Sequence, residues 1–209
     1  MSCRSKGILL VISGFAGTGK GTLVHELLEK YDNYALSVSA TTRAPRPGEI
    51  DGVHYFFKTK EEFEEMIREN RLIEYASYVE NYYGTPKEYV RQQLENGKDV
   101  ILEIEIQGAL KIKEQFPGTL LLFMVPPSAS VLEERLRGRG TETDEVVRKR
   151  LHRAVEESEF IEQYDYLIVN DDLETCVKET HEIIQSQHHR VDQRREFIDT
   201  LKEDLKRFL

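Results

Sequence analysis

Nine consecutive residues, Gly14-Phe15-Ala16-Gly17-Thr18-Gly19-Lys20-Gly21-Thr22, combine four glycines with a lysine and two threonines. Glycines let a backbone turn its N–H groups inward around phosphate oxygens with no Cβ in the way. Lys20 adds a full positive charge, and a helix starting there would add unpaired N-terminal donors. The apolar run Ile8-Leu9-Leu10-Val11-Ile12 in front reads as a buried strand, and Leu23-Val24-His25-Glu26-Leu27-Leu28 behind reads as a helix. Strand, glycine turn and helix in that order predict a cradle for a nucleoside triphosphate rather than an ordinary glycine-rich turn. In such loops a Ser or Thr usually follows the lysine and its hydroxyl meets Mg²⁺. Gly21 stands at that position here. Two arrangements stay open: the Thr22 hydroxyl serves, or phosphates and water hold most of the metal, as Mg²⁺ allows.

Other cations fall in two groups. Arg43 and Arg46 lie three apart in a proline-stiffened stretch, Thr41 to Glu49, and Arg135, Arg137, Arg139 and Arg150 follow Pro126-Pro127. Most arginines are solvated surface charge, and Arg137 is read that way. For the others, neighbouring Pro and Gly restrict the backbone, and planar guanidinium forks suit phosphate oxygens. Two arginine groups flanking one phosphate loop predict two phosphorylated ligands, where a simple hydrolase needs one. His188 and His189 are adjacent on a predicted helix and do not share a face, so solvated surface is their reading rather than metal.

These residues need a scaffold, and the pattern supplies one. Ala35–Ser39 reads as a short strand, and a turn at Asp51-Gly52 leads into the aromatic strand Val53–Phe57 as a hairpin. Thr59 with Glu62 forms a capping box for a helix carrying Phe63, Met66 and Ile67. Leu72–Tyr78 is strand-like, Asn81–Gly84 a turn, and Thr85-Pro86-Lys87-Glu88 a second capping box for a helix ending at Gly97. Val100–Glu103 reads as a buried strand ending in an acid, resembling the second metal-side carboxylate of phosphate-loop proteins. Thr119–Val125 is another apolar strand, and Ser128 caps a helix bearing Val131, Leu132 and Leu136. Residues Arg135–Arg150 read as a polar cover, followed by a helix over about Asp144–Gln163, a strand Tyr166–Val169 and a helical tail with Ile198, Leu201 and Leu205 on one side. Apolar runs without alternation, separated by helices, imply an α/β fold with a parallel sheet covered on both faces. The expected organisation is core over 1–37, an inserted α+β subdomain over 38–88, core again over 89–128, a small lid over 129–157, and core plus helical tail over 158–209.

With 209 residues, 39% hydrophobic and 32% charged, the composition is that of a globular protein able to bury a good core. No apolar run approaches the roughly 20 residues that span a bilayer, and the N-terminal apolar stretch runs into the phosphate loop, so neither a membrane segment nor a signal peptide is expected. A net charge of −9 speaks against a general nucleic-acid binder. Two cysteines, Cys3 and Cys176, make a poor disulfide framework and suit a reducing cytoplasm.

Five separated stretches resemble guanylate kinases: Ser37–Glu49 (SVSATTRAPRPGE), Asp51–Tyr55, Asn81–Thr85 (NYYGT), Arg137–Glu142 (RGRGTE) and Val169–Asp172 (VNDD), in the right order within about Gly7–Ile184. The resemblance implies a phosphate-loop NTPase-type sheet with a GMP-binding insertion and a lid, and the reaction ATP + GMP ⇌ ADP + GDP, with dGMP as a further acceptor. It implies Mg²⁺ with ATP, a cytoplasmic monomer or homodimer, and no nucleic-acid or membrane partner. By position, Arg43, Arg46, Tyr55 and Tyr83 would hold the GMP phosphate, and Ser39, Glu74, Thr85 and Glu105 would surround guanine, with Glu103 also on the GMP side. Lys20, Arg135, Arg139 and Arg150 would hold ATP phosphates and the group in flight, joined in catalysis by Arg43, with the whole loop from Gly14 to Thr22 on ATP and Asn170 near the adenine. Glu105 departs from the family pattern, where aspartate is frequent, and its extra methylene would shift the base contact or a bound water.

The residues carry their own argument for the base. Guanine presents two donors, N1–H and N2–H₂, which one carboxylate such as Glu74 can accept, whereas adenine would leave that carboxylate unpaired. Competing readings are an exposed acid for Glu74, a helix-cap hydroxyl for Thr85 and core aromatics for Tyr82 and Tyr83, of which only Tyr83 is read as functional. Two rival functions share the pattern: a non-catalytic phosphopeptide-binding module, against which the complete loop with Lys20 argues, and another nucleoside monophosphate kinase, accepting AMP, UMP or dGMP.

Overall fold

The phosphate-loop strand sits in the middle of its sheet. A computed structural model describes residues 6–78, 80–138 and 143–209; Cys3 and Arg139 lie outside them. Five strands, β1 (Leu9–Gly14), β2 (Tyr34–Leu36), β7 (Asp99–Glu103), β8 (Leu120–Val125) and β9 (Tyr166–Val169), form one all-parallel sheet in the order β2-β7-β1-β8-β9. Parallel pairing needs crossovers, and the helices α1 (Lys20–Lys30), α3 (Lys87–Glu95), α4 (Ile106–Gln115), α5 (Ala129–Arg137) and α6 (Asp144–Ser158) lie in them, while α7 (Leu173–Gln187) follows the last strand and packs back against α1. Leu10 and Ile12 point into a core with α1 and α7, while Val11 joins one with Ile112 and Val90 of the opposite helices. This two-sided burial explains why the strands read as continuous apolar runs.

A second, four-stranded sheet lies between β2 and β7 in the sequence: β3 (Ala40–Thr41), β4 (Phe56–Phe57), β5 (Leu72–Tyr78) and β6 (Asn81–Pro86), in the order β4-β3-β6-β5. Helix α2 (Lys60–Arg68) packs on it through Phe63, which is fully buried and stacks on Tyr82 at 5.2 Å. The Thr59–Glu62 capping box is present in both directions.

Several expectations within this region are corrected. The stretch Ala35–Ser39 is not one strand: β2 ends at Leu36 in the large sheet, and β3 begins at Ala40 in the small one. The Asp51-Gly52 turn does not make a hairpin. Gly52 N–H donates to Tyr55 O at 2.8 Å and Asp51 Oδ1 accepts from Phe57 N–H, closing a tight local turn, and β4 then runs parallel to β3. Asn81–Gly84 is strand, because the reversal is taken earlier, near Glu80, whose φ is 66°. Pro86, not Thr85, occupies the N-cap of α3, and no side chain caps that helix.

Helices α5 and α6 are anchored to the core as well as covering it: Leu132, Leu136, Val147 and Ala154 share a cluster with Phe15 of the phosphate loop. Ser128 caps α5 as expected. Helix α6 ends at Ser158, five residues short of the expected limit, and a 3₁₀ turn Ile161–Gln163 follows. The tail forms α8 (Arg195–Leu205), whose Phe197, Leu201 and Leu205 are exposed. No described helix is long and apolar enough to cross a membrane.

His188 departs from its surface reading. Its Nε2 lies 2.9 Å from Oδ1 of Asp99, a 1% exposed carboxylate that also accepts from Ile8 N–H, Asn33 and Gln185. A buried carboxylate needs such partners, and this one fastens the end of α7 to the start of β7. Cys176 is buried, and burial pushes its thiol up to about 11, which leaves it inert as a nucleophile.

Candidate active site

At the carboxyl end of β1 the backbone enters α1 through Gly17 and Gly19, with φ of 89° and 92°, values that favour glycine. Gly19 is the N-cap of α1, no side chain caps the helix, and its first turn carries no acid. By contrast, α2, α5, α6 and α7 are capped by Thr59, Ser128, Thr143 and Asp172. A helix start left open in this way offers its amides and its dipole to an anion. Asn170 braces the loop from below: its Nδ2 donates to Thr18 O at 2.8 Å. One of that amide's two hydrogens is thus given to the loop.

Lys20 folds back over the loop and donates to Gly14 O at 2.8 Å and Phe15 O at 3.0 Å. Opposite it, Glu103 at the end of β7 stands in the cleft. Displaced water raises its carboxyl pKa, and the nearby lysine opposes that rise. Its oxygens lie 3.9 and 4.0 Å from where a Cβ on Gly21 would be. Thr22 is exposed on the first turn of α1. Among the described residues no group of three or more His, Cys, Asp or Glu could hold a metal. One carboxylate and one hydroxyl facing an open helix start fit an Mg²⁺ that takes most of its ligands from phosphates and water. They do not fit an all-protein cage.

A cavity of about 370 Å³ opens beside the loop, lined by Ser13, Gly14, Lys20, Tyr55, Glu103, Ile104, Glu105, Ile106 and Glu157. Tyr55 comes from the inserted sheet; the others come from the core and from α6. Ser13 Oγ donates to Ile104 O at 2.8 Å and ties the phosphate-loop strand to the segment bearing Glu103 and Glu105.

The insertion assembles its own constellation. Arg43 lies 5.4 Å from the Tyr55 ring centre, and Tyr55 is 6.2 Å from Tyr83. Arg43 Nη2 donates to both Glu49 oxygens at 2.8 and 2.9 Å, its Nη1 donates to Ala44 O, and Glu49 also accepts from Arg46 N–H at 2.7 Å. Those bonds hold the Glu49 carboxyl down to about 2. The proline loop is thus shaped by a charge pair, and both arginines emerge from one tight turn. Because alternate residues of a strand face opposite sides, Tyr83 meets Tyr55 while Tyr82 packs on Phe63.

Glu74 and Thr85 meet across β5 and β6. Thr85 is fully buried and its hydroxyl donates to Glu74 Oε1 at 2.8 Å. The expected helix cap is therefore absent, and the hydroxyl is spent on the carboxylate. Burial raises the Glu74 pKa, and the Thr85 bond and Lys111 oppose the rise. On the far side the carboxylate lies beside the first turn of α4, where a Cβ on Gly108 would sit 3.6 Å from Oε2, at ordinary contact distance. Ser39 is half-buried just before β3.

On α5 and α6, Arg135 and Arg150 are both partly buried. Arg135 lies near enough to Cys176 to affect its thiol. Arg137 pairs with Glu133 and Asp144 and stays at the surface, as expected. Sequence reasoning missed Arg153, Glu157 and Gly108. Arg153 Nη2 donates to Glu105 Oε2 at 2.7 Å and its Nε to Glu157 Oε1 at 2.8 Å. No local motif marks these three; only the meeting of α6 with the start of α4 does.

Comparison with known proteins agrees with this arrangement. The guanylate kinase family model matches residues 6–187. The chain is 55% identical over 174 residues to the guanylate kinase of Halalkalibacterium halodurans, covering 83% of this chain and 85% of that protein. It is 50% identical over 179 residues to the guanylate kinase of Caldanaerobacter subterraneus, covering 86% and 87%. Among solved structures, the crystal structure of guanylate kinase from Anaplasma phagocytophilum superposes with a TM-score of 0.69 at 33% identity, over 90% of this chain and 89% of that one. An open phosphate loop, a second sheet facing it across a shared cavity, and sequence identity along nearly the whole of both units lead to one conclusion: the chain belongs to the guanylate kinase family.

Proposed function

We propose that this protein transfers the terminal phosphoryl group of ATP to GMP, and to dGMP, by direct in-line displacement. One observation supports the reading: the cavity beside Lys20 is lined also by Tyr55 of the insertion, whose ring lies 5.4 Å from Arg43. The two proposed phosphate sites would then share a single space.

ATP phosphates would lie on the amides from Gly14 to Thr22 and on Lys20, with Arg135 and Arg150 reaching in from α5 and α6. Arg139 has the same assignment by sequence. The GMP phosphate would take Arg43, Arg46, Tyr55 and Tyr83; Arg43 would share its guanidinium between Glu49 and the ligand. Guanine would sit against Glu74, Thr85, Ser39 and Glu105. Thr85 holds one Glu74 oxygen, which fixes the carboxylate to receive N1–H and N2–H₂. In this reading residues 38–88 are the GMP-binding subdomain and 129–157 the lid.

The attacking group is a phosphate oxygen of GMP, already anionic, so no general base is required. This chain's residues align the two phosphates and neutralise charge that spreads over the group in flight. Mg²⁺, when bound with ATP near Thr22 and Glu103, supplies further charge neutralisation on the phosphate oxygens. Closure of both insertions keeps water from competing as acceptor.

The test is an ADP-release assay with ATP and Mg²⁺ across GMP, dGMP, AMP, UMP and CMP. GMP-dependent release of ADP, with dGMP accepted and the other bases rejected, is expected. ATP turnover independent of GMP overturns the reading.

A further inference from the structure

Glu105 is the N-cap residue of α4, yet its side chain does not cap that helix. It reaches instead to α6, where Arg153 Nη2 donates to its Oε2 at 2.7 Å. Glu157, whose side chain is only 15% exposed, holds the same guanidinium through Nε at 2.8 Å. Arg153 is therefore gripped from behind by a largely buried carboxylate and presents its other edge to Glu105. A planar fork held in this way is pre-organised, as a lone surface lysine would not be. Glu105, Glu157 and Glu103 all line the cavity. Three carboxylates around a space that receives two polyanionic nucleotides would repel them, and Arg153 with Lys20 offsets that charge. The extra methylene of Glu105 relative to aspartate is what spans the gap to α6.

We propose that Arg153 is a positioning residue for the monophosphate substrate: from α6 it holds the Glu105 carboxylate in place at the guanine end of the cavity. Glu105 and Gly108 lie one helical turn apart at the start of α4, and the Glu74 carboxylate lies beside Gly108. Arg153 thus aligns the second of two carboxylates that converge on the same turn. The inference rests on the reading of Glu105 as a guanine contact.

Steady-state kinetics on the full chain test it. Arg153→Gln is expected to raise the KM for GMP about fivefold, the upper range for a solvent-accessible ion pair, and to leave kcat and the KM for ATP within about twofold of the parent. In a Glu105→Asp background, whose carboxylate stops one methylene short, the same substitution is expected to change the GMP KM hardly at all, because the two effects are one interaction. An unchanged GMP KM in Arg153→Gln overturns the proposal, as does a full fivefold effect that persists in the Glu105→Asp background. Glu105→Ala separates the two readings. If it raises the GMP KM while Arg153→Gln does not, only the positioning role fails. If it leaves the GMP KM unchanged, Glu105 does not contact guanine and the assignment beneath the proposal falls with it. A fall in kcat and rises in both KM values together would mark Arg153 as a structural residue of α6, and would likewise overturn it.

Discussion

The two regions proposed to bind the nucleotides are built in opposite ways. On the side assigned to ATP, nine contiguous residues and one helix start would provide the donors, and most of them belong to the backbone. On the side assigned to GMP, Glu74, Tyr83 and Thr85 come from two strands of the small sheet and Arg43 and Tyr55 from the segments beside it, and every donor or acceptor would be a side chain. The first site needs the right glycines and little else. The second needs each strand in register, and a slip of one residue in β6 would exchange Tyr83 for Tyr82 and turn the functional ring into the Phe63 core. A backbone site is robust to packing and generic in its ligand. A side-chain site is specific and fragile.

Substitutions can break this comparison at either end. The largest effect is expected from Lys20→Ala, which removes the cation that sits on the loop itself: kcat should fall about 10³-fold or more with an unchanged circular-dichroism melt. Near-normal turnover would show that the amides suffice. Next, Glu74→Gln should lower kcat/KM for GMP by about 10²-fold or more, because a site built to accept donors rejects what it cannot pair, while ATP affinity stays level. Its stability should move the other way. Folding raises the Glu74 pKa, so the folded chain binds that proton more tightly than the unfolded chain. The resulting penalty on the ionised group is absent below the unfolded pKa and fully present above the folded one. At neutral pH the Gln variant is therefore expected to unfold at equal or higher temperature than the parent. The same shift predicts that the parent's GMP affinity weakens as pH falls from neutral through the raised Glu74 pKa, and that this change flattens in the Gln variant; a profile identical in both would remove Glu74 from the base site.

Phe63→Ala sharpens the fragility claim. The ring is fully buried against the sheet that would carry the GMP residues, and its loss should cost about 3–5 kcal/mol in urea unfolding. If the small sheet is the weaker unit, the GMP KM should rise under mild denaturant before the ATP KM does. Arg46→Ala is expected to have a smaller effect, raising the GMP KM about tenfold by loss of one charged hydrogen-bonding partner. A change confined to the ATP KM would invert the arginine assignment. The smallest expected effect concerns acid. Glu49 is held down to about 2 by Arg43 and Arg46, so its contribution to stability is present above the unfolded pKa and is lost as pH falls through about 2. The turn around Pro45 and Pro47 should then outlast the Glu74-dependent binding on an acid titration followed by NMR.

Legibility in the sequence followed the same division. The phosphate loop, the core strands β1, β7, β8 and β9 and the capping box at Thr59 could be read because each is local: glycine backbone freedom, unbroken apolar runs and an N-cap hydroxyl act within a few residues. The insertion was read less well. The aromatic run after Gly52 alternates like a hairpin strand, yet its partner is β3, more than ten residues back, and it runs parallel. Thr85 before Pro86 carries a cap signature, yet the buried Glu74 carboxylate outcompetes the helix amides for its hydroxyl. His188 looks like a solvated tail residue until the end of α7 brings it against the buried Asp99.

By itself the sequence determined the nucleotide loop, the covered parallel sheet and, through five ordered motifs, the family, because these depend on backbone conformation and on hydrophobic period. Only the tertiary structure decided which face of β6 meets Tyr55, that Thr85 serves Glu74, and that Arg153 reaches Glu105. Those contacts join residues 11 and 48 positions apart, and a side chain's partner across such a distance is set by how whole elements pack.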